Sequence, residues 1–295
     1  TSNGGSGILS HPHGVAVDAS GTLFVAEYVS DVFVFEQALT SDSVPDGTFS
    51  DGTCVPISAT SMCKVSDVAV SSDGTVWALE WDVARARAYT NAMTTDFVAD
   101  FVIGTSDSMT TTPTSCLSGS PPPVSGNQLC QPYAISVGPD GTVAISDYGY
   151  HRVTLYFAPE LTDRVPDRVA GQHTAFTNGS CNIEGVNALS LCLPGGVAVD
   201  AAGNVYIADT NNNRVLVYFS PLTTDRVVDV VFGQGGSFTS NTVDFGGVSA
   251  NSLHFPKGVA VDAAGNLYVA DSNNNRVLQY NTPLTTDTTA DRVFG

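Results

Sequence analysis

The feature that most constrains the fold of this chain is a segment that recurs along it. Residues 197–218 (VAVDAAGNVYIADTNNNRVLVY) and residues 259–280 (VAVDAAGNLYVADSNNNRVLQY) agree at 18 of 22 positions. Three weaker copies precede them. A period of this length is typical of stacked repeat architectures. One glycine marks the same point in all five copies, at spacings of 53, 67, 62 and 62 residues: Gly21, Gly74, Gly141, Gly203 and Gly265.

Each copy has the pattern of a small antiparallel sheet. Short runs rich in β-branched and aromatic residues alternate with polar turns, and no helical period appears. The repeated glycine supplies the positive φ that a tight turn requires. Four such runs joined by short turns form one sheet with two apolar faces, and several sheets arranged radially bury both. The sequence therefore predicts an all-β fold, a β-propeller of five four-stranded antiparallel blades.

The repeat resembles the NHL repeat family of β-propellers. The motifs that match are PGGVAVD (194–200), GNVYIAD (203–209) and NNRV (212–215). Because this family often forms six blades, the alternative is a six-bladed propeller in which a partner chain completes one blade. We expect a single propeller domain over 1–295 with disulfide-bearing loops between the blades. The approximate blades are 11–53, 63–104, 130–172, 192–234 and 254–295.

Six cysteines fall into three pairs that are close in sequence. Six cysteines permit 15 pairings, of which local pairing within each long loop is the simplest. No CxxC motif or neighbouring histidine favours a metal site instead. Three disulfides indicate an oxidising compartment, which predicts a secreted protein in an extracellular or cell-surface setting. The predicted pairs are Cys54 with Cys63, Cys116 with Cys130, and Cys181 with Cys192.

The excess of acidic over basic residues limits the classes of partner that the chain can bind. With 29 acidic and 11 basic residues the net charge is −18, so the chain repels nucleic acid and anionic membranes. No apolar run is long enough to span a membrane. We expect protein partners, self-association above all, with glycans as a further possibility.

An acidic residue ends the second strand of every copy, and an arginine follows five positions later in four of them. Such a pair flanks one hairpin turn, where a charge-assisted hydrogen bond would fix the turn. We therefore assign these residues a structural role rather than a metal-binding one. The predicted pairs are Glu80 with Arg85, Asp147 with Arg152, Asp209 with Arg214, and Asp271 with Arg276.

Histidines provide the alternative of a metal-dependent lyase or hydrolase. His11 and His13 form an HxH pair before the first strand, and His254 lies near the same register of the last copy. A three-histidine metal site is one interpretation, and exposed loop histidines are the one we favour. No cofactor and no catalytic residue is predicted, because no nucleophile-elbow or zinc-protease motif occurs.

Two features favour contact with sugars. Asn178-Gly179-Ser180 is an N-glycosylation sequon, which predicts a glycoprotein. Trp81, Tyr148 and Tyr150 follow second strands, where we expect surface aromatics suited to stacking on a glycan. The leading prediction remains a secreted, non-enzymatic binding or structural protein, such as a subunit of an extracellular assembly or filament joined by strand or loop contacts; a glycan-binding propeller is the other alternative.

Overall fold

A computed structural model describes residues 9–29, 31–36, 45–49, 60–90, 98–104 and 126–295. Twenty strands in these ranges form five sheets of four strands, and every pair of neighbouring strands described is antiparallel. The prediction of a five-bladed, all-β propeller is thereby confirmed. The chain divides into two compact units, Thr1–Leu117 with Asn127–Pro132, and Ser118–Gly126 with Tyr133–Gly295. The division into one domain with the blade limits given above stays a prediction.

The first unit carries two blades, and in each the strands are paired in chain order. Its core joins residues of both blades, including Phe24, Phe49 and Tyr89. The strands are β1 (Pro12–Val17), β2 (Leu23–Glu27), β3 (Asp31–Phe35) and β4 (Gly47–Thr48), then β5 (Val65–Val70), β6 (Val76–Glu80), β7 (Arg85–Tyr89) and β8 (Phe101–Gly104).

The second unit carries three blades with the same strand order. The third blade comprises β9 (Pro132–Val137), β10 (Thr142–Asp147), β11 (Arg152–Phe157) and β12 (Arg168–Ala170). The fourth comprises β13 (Pro194–Val199), β14 (Val205–Asp209), β15 (Arg214–Tyr218) and β16 (Val230–Phe232). The fifth comprises β17 (Pro256–Val261), β18 (Leu267–Asp271), β19 (Arg276–Tyr280) and β20 (Arg292–Phe294).

Alternation along the strands gives each blade two apolar faces. In the fourth blade, Val197, Ile207, Leu216 and Val231 are paired in one row across the sheet and pack with residues of the third blade. Side chains of the opposite face, among them Tyr206, pack with residues of the fifth blade. The fourth blade therefore buries both faces between its neighbours.

The turn between the first two strands of a blade is held by an aspartate. Asp200 Oδ1 accepts hydrogen bonds from the backbone N–H groups of Ala202 and Asn204, each at 2.9 Å. Gly203 has a φ of 77°, which an L side chain adopts only with strain. The Asp200 carboxylate thus takes the place of a backbone turn acceptor, as expected for an Asx-turn.

Candidate functional site: the linkers between blades

The predicted acid–arginine pairs lie buried at the hairpins between the second and third strands. Arg214 Nε lies 2.7 Å from Asp209 Oδ2 and Arg152 Nε lies 2.8 Å from Asp147 Oδ2, and all four side chains are fully buried. The other two pairs have the same arrangement, Arg85 Nε to Glu80 Oε2 at 2.5 Å and Arg276 Nε to Asp271 Oδ2 at 2.7 Å. Glu80 also accepts from Arg87 Nε at 2.7 Å, a second arginine that sequence spacing did not single out.

Three of these carboxylates, Glu80, Asp209 and Asp271, also accept a hydrogen bond from the chain that enters their blade. Asp209 Oδ1 accepts the N–H of Cys192 at 2.8 Å, and Asp271 Oδ1 accepts the N–H of His254 at 2.7 Å. Burial raises the pKa of Asp209, and the Arg214 guanidinium, the Asn212 amide and the Cys192 N–H oppose that rise. Asp209 and Asp271 thus accept from a backbone N–H through one carboxylate oxygen and from an arginine through the other. The structural role of the four pairs stays a prediction.

We call residues 171–193 the third linker and residues 233–255 the fourth linker, after the blade that each one follows. Arg214 contacts both linkers. Its Nη2 donates to the carbonyls of Asn187 and Ser190, each at 3.0 Å, and its Nη1 donates to the carbonyl of Phe238 at 2.6 Å. One buried guanidinium therefore joins the hairpin of the fourth blade to the linker before it and the linker after it.

A second contact fixes the end of each linker from the preceding blade. Asn213 Oδ1 accepts the N–H of Phe255 at 2.9 Å. At the same position of the third blade stands His151, whose Nδ1 accepts the N–H of Leu193 at 3.1 Å. Burial lowers the pKa of His151, which favours the neutral ring that this contact needs.

The third linker is closed by the predicted disulfide between Cys181 and Cys192, whose Cα atoms are 4.6 Å apart. Asn178 is partly exposed, and its side-chain amide donates to the carbonyl of Gln172 at 3.2 Å. Glycosylation of Asn178 stays a prediction. His173 Nδ1 lies 3.5 Å from Glu184 Oε2 in the same linker.

The remaining cysteines belong to the first unit. Cys63 and Cys130 are disulfide-bonded. Their predicted partners, Cys54 and Cys116, lie outside the described residues. The pairing predicted for these two loops therefore stays a prediction.

The fourth linker has the same backbone arrangement without a disulfide. Val243 and His254 stand 62 positions after the two cysteines of the third linker. His254 Nδ1 lies 3.7 Å from Asp244 Oδ2, which places a polar contact where the third linker has its covalent bond. This linker also exposes three large apolar side chains, Val243 (50%), Phe245 (41%) and Val248 (63%). We call these three residues the linker surface.

The histidines considered as metal ligands each have a local environment of their own. His13 is exposed and its ring stacks on Tyr28, with the ring centroids 4.6 Å apart. His11 Nδ1 lies 3.2 Å from Ser10 Oγ, and His254 Nε2 lies 3.1 Å from the Asn273 amide. Across the ranges that the structure describes, no three side chains of His, Cys, Asp or Glu are grouped as a metal site.

The aromatic residues expected at the surface are not all exposed, and for Tyr150 the expectation was wrong. Tyr150 is fully buried, and the guanidinium carbon of Arg152 lies 5.1 Å from its ring centroid. Tyr150 is buried because it belongs to a short 3-10 turn after β10 (Tyr148–Tyr150), which lies between the two residues of the buried ion pair, Asp147 and Arg152. Tyr148 and Trp81 are half-buried. Trp77, in β6, is fully buried.

In the part of the chain that the structure covers, no helix is long and apolar enough to cross a membrane.

Comparison with known families and proteins gives two matches at the sequence level. The family model for the NHL repeat matches residues 191–218 and 253–280. Human Teneurin-1 is 25% identical over 172 residues, which is 56% of this chain and 6% of the length of that protein. The chain thus corresponds to a small part of this relative.

The solved structures with a similar fold are those of different kinds of protein. The chain is similar to a streptogramin B lyase (TM-score 0.51, 12% identity, covering 98% of this chain and 70% of that one). A chain of a mitotic checkpoint complex has a TM-score of 0.54 at 9% identity, covering 96% of this chain and 63% of that one. A chain of a nidogen/laminin complex has a TM-score of 0.54 at 12% identity, covering 96% and 79%. At these identities the likeness concerns the fold.

Proposed function

We propose that this chain, a β-propeller whose residues 191–218 and 253–280 match the NHL repeat, is a non-enzymatic binding protein whose partners are proteins, including further copies of itself. The observation that carries the proposal is the set of exposed apolar side chains in the fourth linker. The acid–arginine pairs of the blades are buried and hydrogen-bonded to the scaffold, whereas the fourth linker exposes the apolar side chains of the linker surface. Exposed apolar side chains within six residues of one linker favour contact with another protein.

An extracellular or cell-surface location is part of the proposal. Its support is the disulfide between Cys181 and Cys192, since such bonds persist in oxidising compartments. The sequon at Asn178 is compatible with the same location and is proposed as a glycan attachment site.

Two of the comparisons with solved structures support a binding role. Two of the similar folds come from structures of protein complexes, the nidogen/laminin complex and the mitotic checkpoint complex. The third is named as a lyase, and a likeness of fold at 12% identity transfers no catalytic residue. We therefore propose binding rather than catalysis.

The proposal is tested by sedimentation velocity of the purified chain from about 1 µM to about 1 mM, a range that covers weak to moderate association. Self-association is expected to grow with concentration, and also with salt between about 0.05 and 0.5 M, because salt screens repulsion between copies that carry a net charge of −18. Phe245→Asp is expected to weaken it. Leu161→Asp is the matched control, because Leu161 is 86% exposed and belongs to the third blade rather than to the fourth linker. A monomer at every concentration and salt would contradict self-association.

A further inference from the structure

The loop that joins the third and fourth strands of a blade exposes apolar side chains in two blades of the second unit. We call residues 157–167, 219–229 and 281–291 the third, fourth and fifth outer loops, after their blades. The third outer loop exposes Phe157 (50%), Leu161 (86%) and Val165 (47%). The fourth outer loop exposes Phe219 (37%) and Val227 (46%).

The backbone of the outer loop forms without these apolar side chains. The N–H of Phe157 donates to Asp167 Oδ2 at 2.8 Å, and the Thr162 hydroxyl donates to the Phe157 carbonyl at 3.0 Å. The fourth outer loop repeats both contacts at 2.7 and 2.6 Å, and the fifth repeats them at 2.7 and 3.0 Å. The fifth outer loop nevertheless has polar residues at the three apolar positions: Asn281, Thr285 and Thr289. The apolar residues of the third outer loop are therefore not required by its fold.

Leu161 is exposed because the leucine of the third outer loop is displaced by one position. In the fourth outer loop, Leu222 is partly buried against a core cluster. The third outer loop has Glu160 at that position and its leucine one residue later. The Leu161 side chain consequently remains in water, from which its transfer to an apolar environment is favourable.

The same two loops have arginines beside the apolar side chains. Of the 11 lysine and arginine residues of the chain, five pair with the buried carboxylates of the blades. Three of the other six lie in or directly after the third and fourth outer loops: Arg164, Arg168 and Arg226. Two nearby carboxylates are engaged by the loop backbone, since Asp163 Oδ1 accepts the N–H of Val165 and Asp225 Oδ1 accepts that of Val227, each at 2.9 Å.

We infer that the third and fourth outer loops form a contact surface for a zwitterionic lipid bilayer. The apolar side chains enter the boundary between headgroups and acyl chains, and the arginines donate to lipid phosphate groups. The net charge of −18 opposes approach to an anionic bilayer. A phosphocholine headgroup, which has a phosphate but no net charge, therefore fits this surface.

A bilayer fits the shape of the surface better than a folded partner does. Leu161 is 86% exposed in a loop beyond the ends of its strands, so its side chain projects from the blade. The two loops occupy equivalent positions at the same end of two sheets. A fluid bilayer accepts two separate projections without a matching shape, whereas a folded partner would need a complementary groove for each.

The test is cosedimentation of the whole chain with phosphatidylcholine vesicles at about 1 mM lipid. At that concentration a partition constant of about 10⁴ M⁻¹, that of a single acyl anchor, gives nearly complete binding. Replacing about a quarter of the lipid with phosphatidylserine at about 0.05 M salt is expected to weaken binding at least about fivefold, because the surface repels the acidic chain. Absence of binding to phosphatidylcholine, or stronger binding to the anionic vesicles, would overturn the inference.

Variants of the third outer loop assign the contact. Phe157→Asn/Leu161→Thr/Val165→Thr installs the residue types of the fifth outer loop and is expected to weaken vesicle binding about tenfold. Leu161→Asp is expected to weaken it about fivefold. Val29→Asp is the matched control, because it adds the same charge at an exposed valine (56%) of the first blade and is expected to change binding less than about twofold. Equal losses in the two aspartate variants, or unchanged binding of the triple variant, would refute the assignment to the outer loops.

The inference goes beyond the proposed function and can fail independently of it. Leu161→Asp is expected to retain self-association, so loss of vesicle binding in this variant with unchanged self-association supports the outer loops as a separate surface. Self-association of the unsubstituted chain without vesicle binding supports the linker surface and refutes the lipid contact.

Discussion

The third and fourth linkers offer a matched pair for testing whether the repeat places a disulfide. In the double variant Val243→Cys/His254→Cys, the new cysteines stand 62 positions after Cys181 and Cys192. The backbone is alike at the two sites: the N–H that follows the first position donates to the carbonyl that precedes the second at 3.2 Å in both linkers. We therefore expect the two thiols to form a disulfide under oxidising conditions without displacement of the backbone.

The magnitude follows from the size of the closed loop. A separation of 11 residues, as in the native bond, removes about 3 kcal/mol of conformational entropy from the unfolded chain. The substitution also removes the contacts of His254 with Asp244 and Asn273. Because these contacts are partly exposed, together they contribute about 1 kcal/mol to the free energy of unfolding. The net gain in the free energy of unfolding is then about 2 kcal/mol, which raises the melting temperature by about 3 °C for a chain of this size.

The assay combines thiol counting and thermal unfolding. Alkylation followed by mass spectrometry reports whether the two cysteines are bonded, and circular dichroism reports the melting temperature. The double serine variant at the same positions is the control, because it removes the same side chains without a bond. Free thiols in the folded variant would refute the equivalence of the two linkers. A bonded variant that melts no higher than the serine control would refute the entropic estimate.

Three further changes test the blades. Arg214→Met leaves the buried carboxylate of Asp209 without its guanidinium and is expected to lower the free energy of unfolding by about 3–5 kcal/mol, measured by urea denaturation. His151 has a folded-state pKa below its unfolded value of 6.5, so the unfolded chain binds the proton more readily and the stability from this group is lost as the pH falls below about 6.5. His151→Asn introduces the residue type that the fourth blade has at the same position. The melting temperature of this variant is expected to fall less between about pH 7.5 and pH 5 than that of the unsubstituted chain. An equal fall would exclude His151 as the source of the pH dependence. Gly265→Ala meets no neighbouring atom within 4 Å but keeps a φ of 82°, so a loss of about 1 kcal/mol is expected from backbone strain alone.

The sequence was informative wherever one repeat could be compared with another. Gly203 and Gly265 located the first turn of each blade because a positive φ restricts the residue type. The spacing of five residues between Asp209 and Arg214 identified a buried pair because the two positions face each other across one hairpin. In both cases the determining contacts are local, so the pattern along the chain contains them.

The burial and the additional partners of side chains near these hairpins were not accessible in this way. The burial of Tyr150 depends on a short 3-10 turn that folds over the Arg152 guanidinium, and no pattern of hydrophobicity indicates that packing. The second partner of Glu80, Arg87, lies two residues beyond the predicted one, on the same side of its strand. Such contacts depend on which face of a strand is covered, and that is decided by a neighbouring blade or linker.

The guanidiniums show how the stability of a blade depends on the segment that covers it. Arg214 donates to the linker before its blade and to the linker after it, so its side chain is fully buried only when both are in place. Arg276 makes the first set of contacts and, among the described residues, lacks the second. The same residue type in the same hairpin is therefore fully buried in the fourth blade and 12% exposed in the fifth.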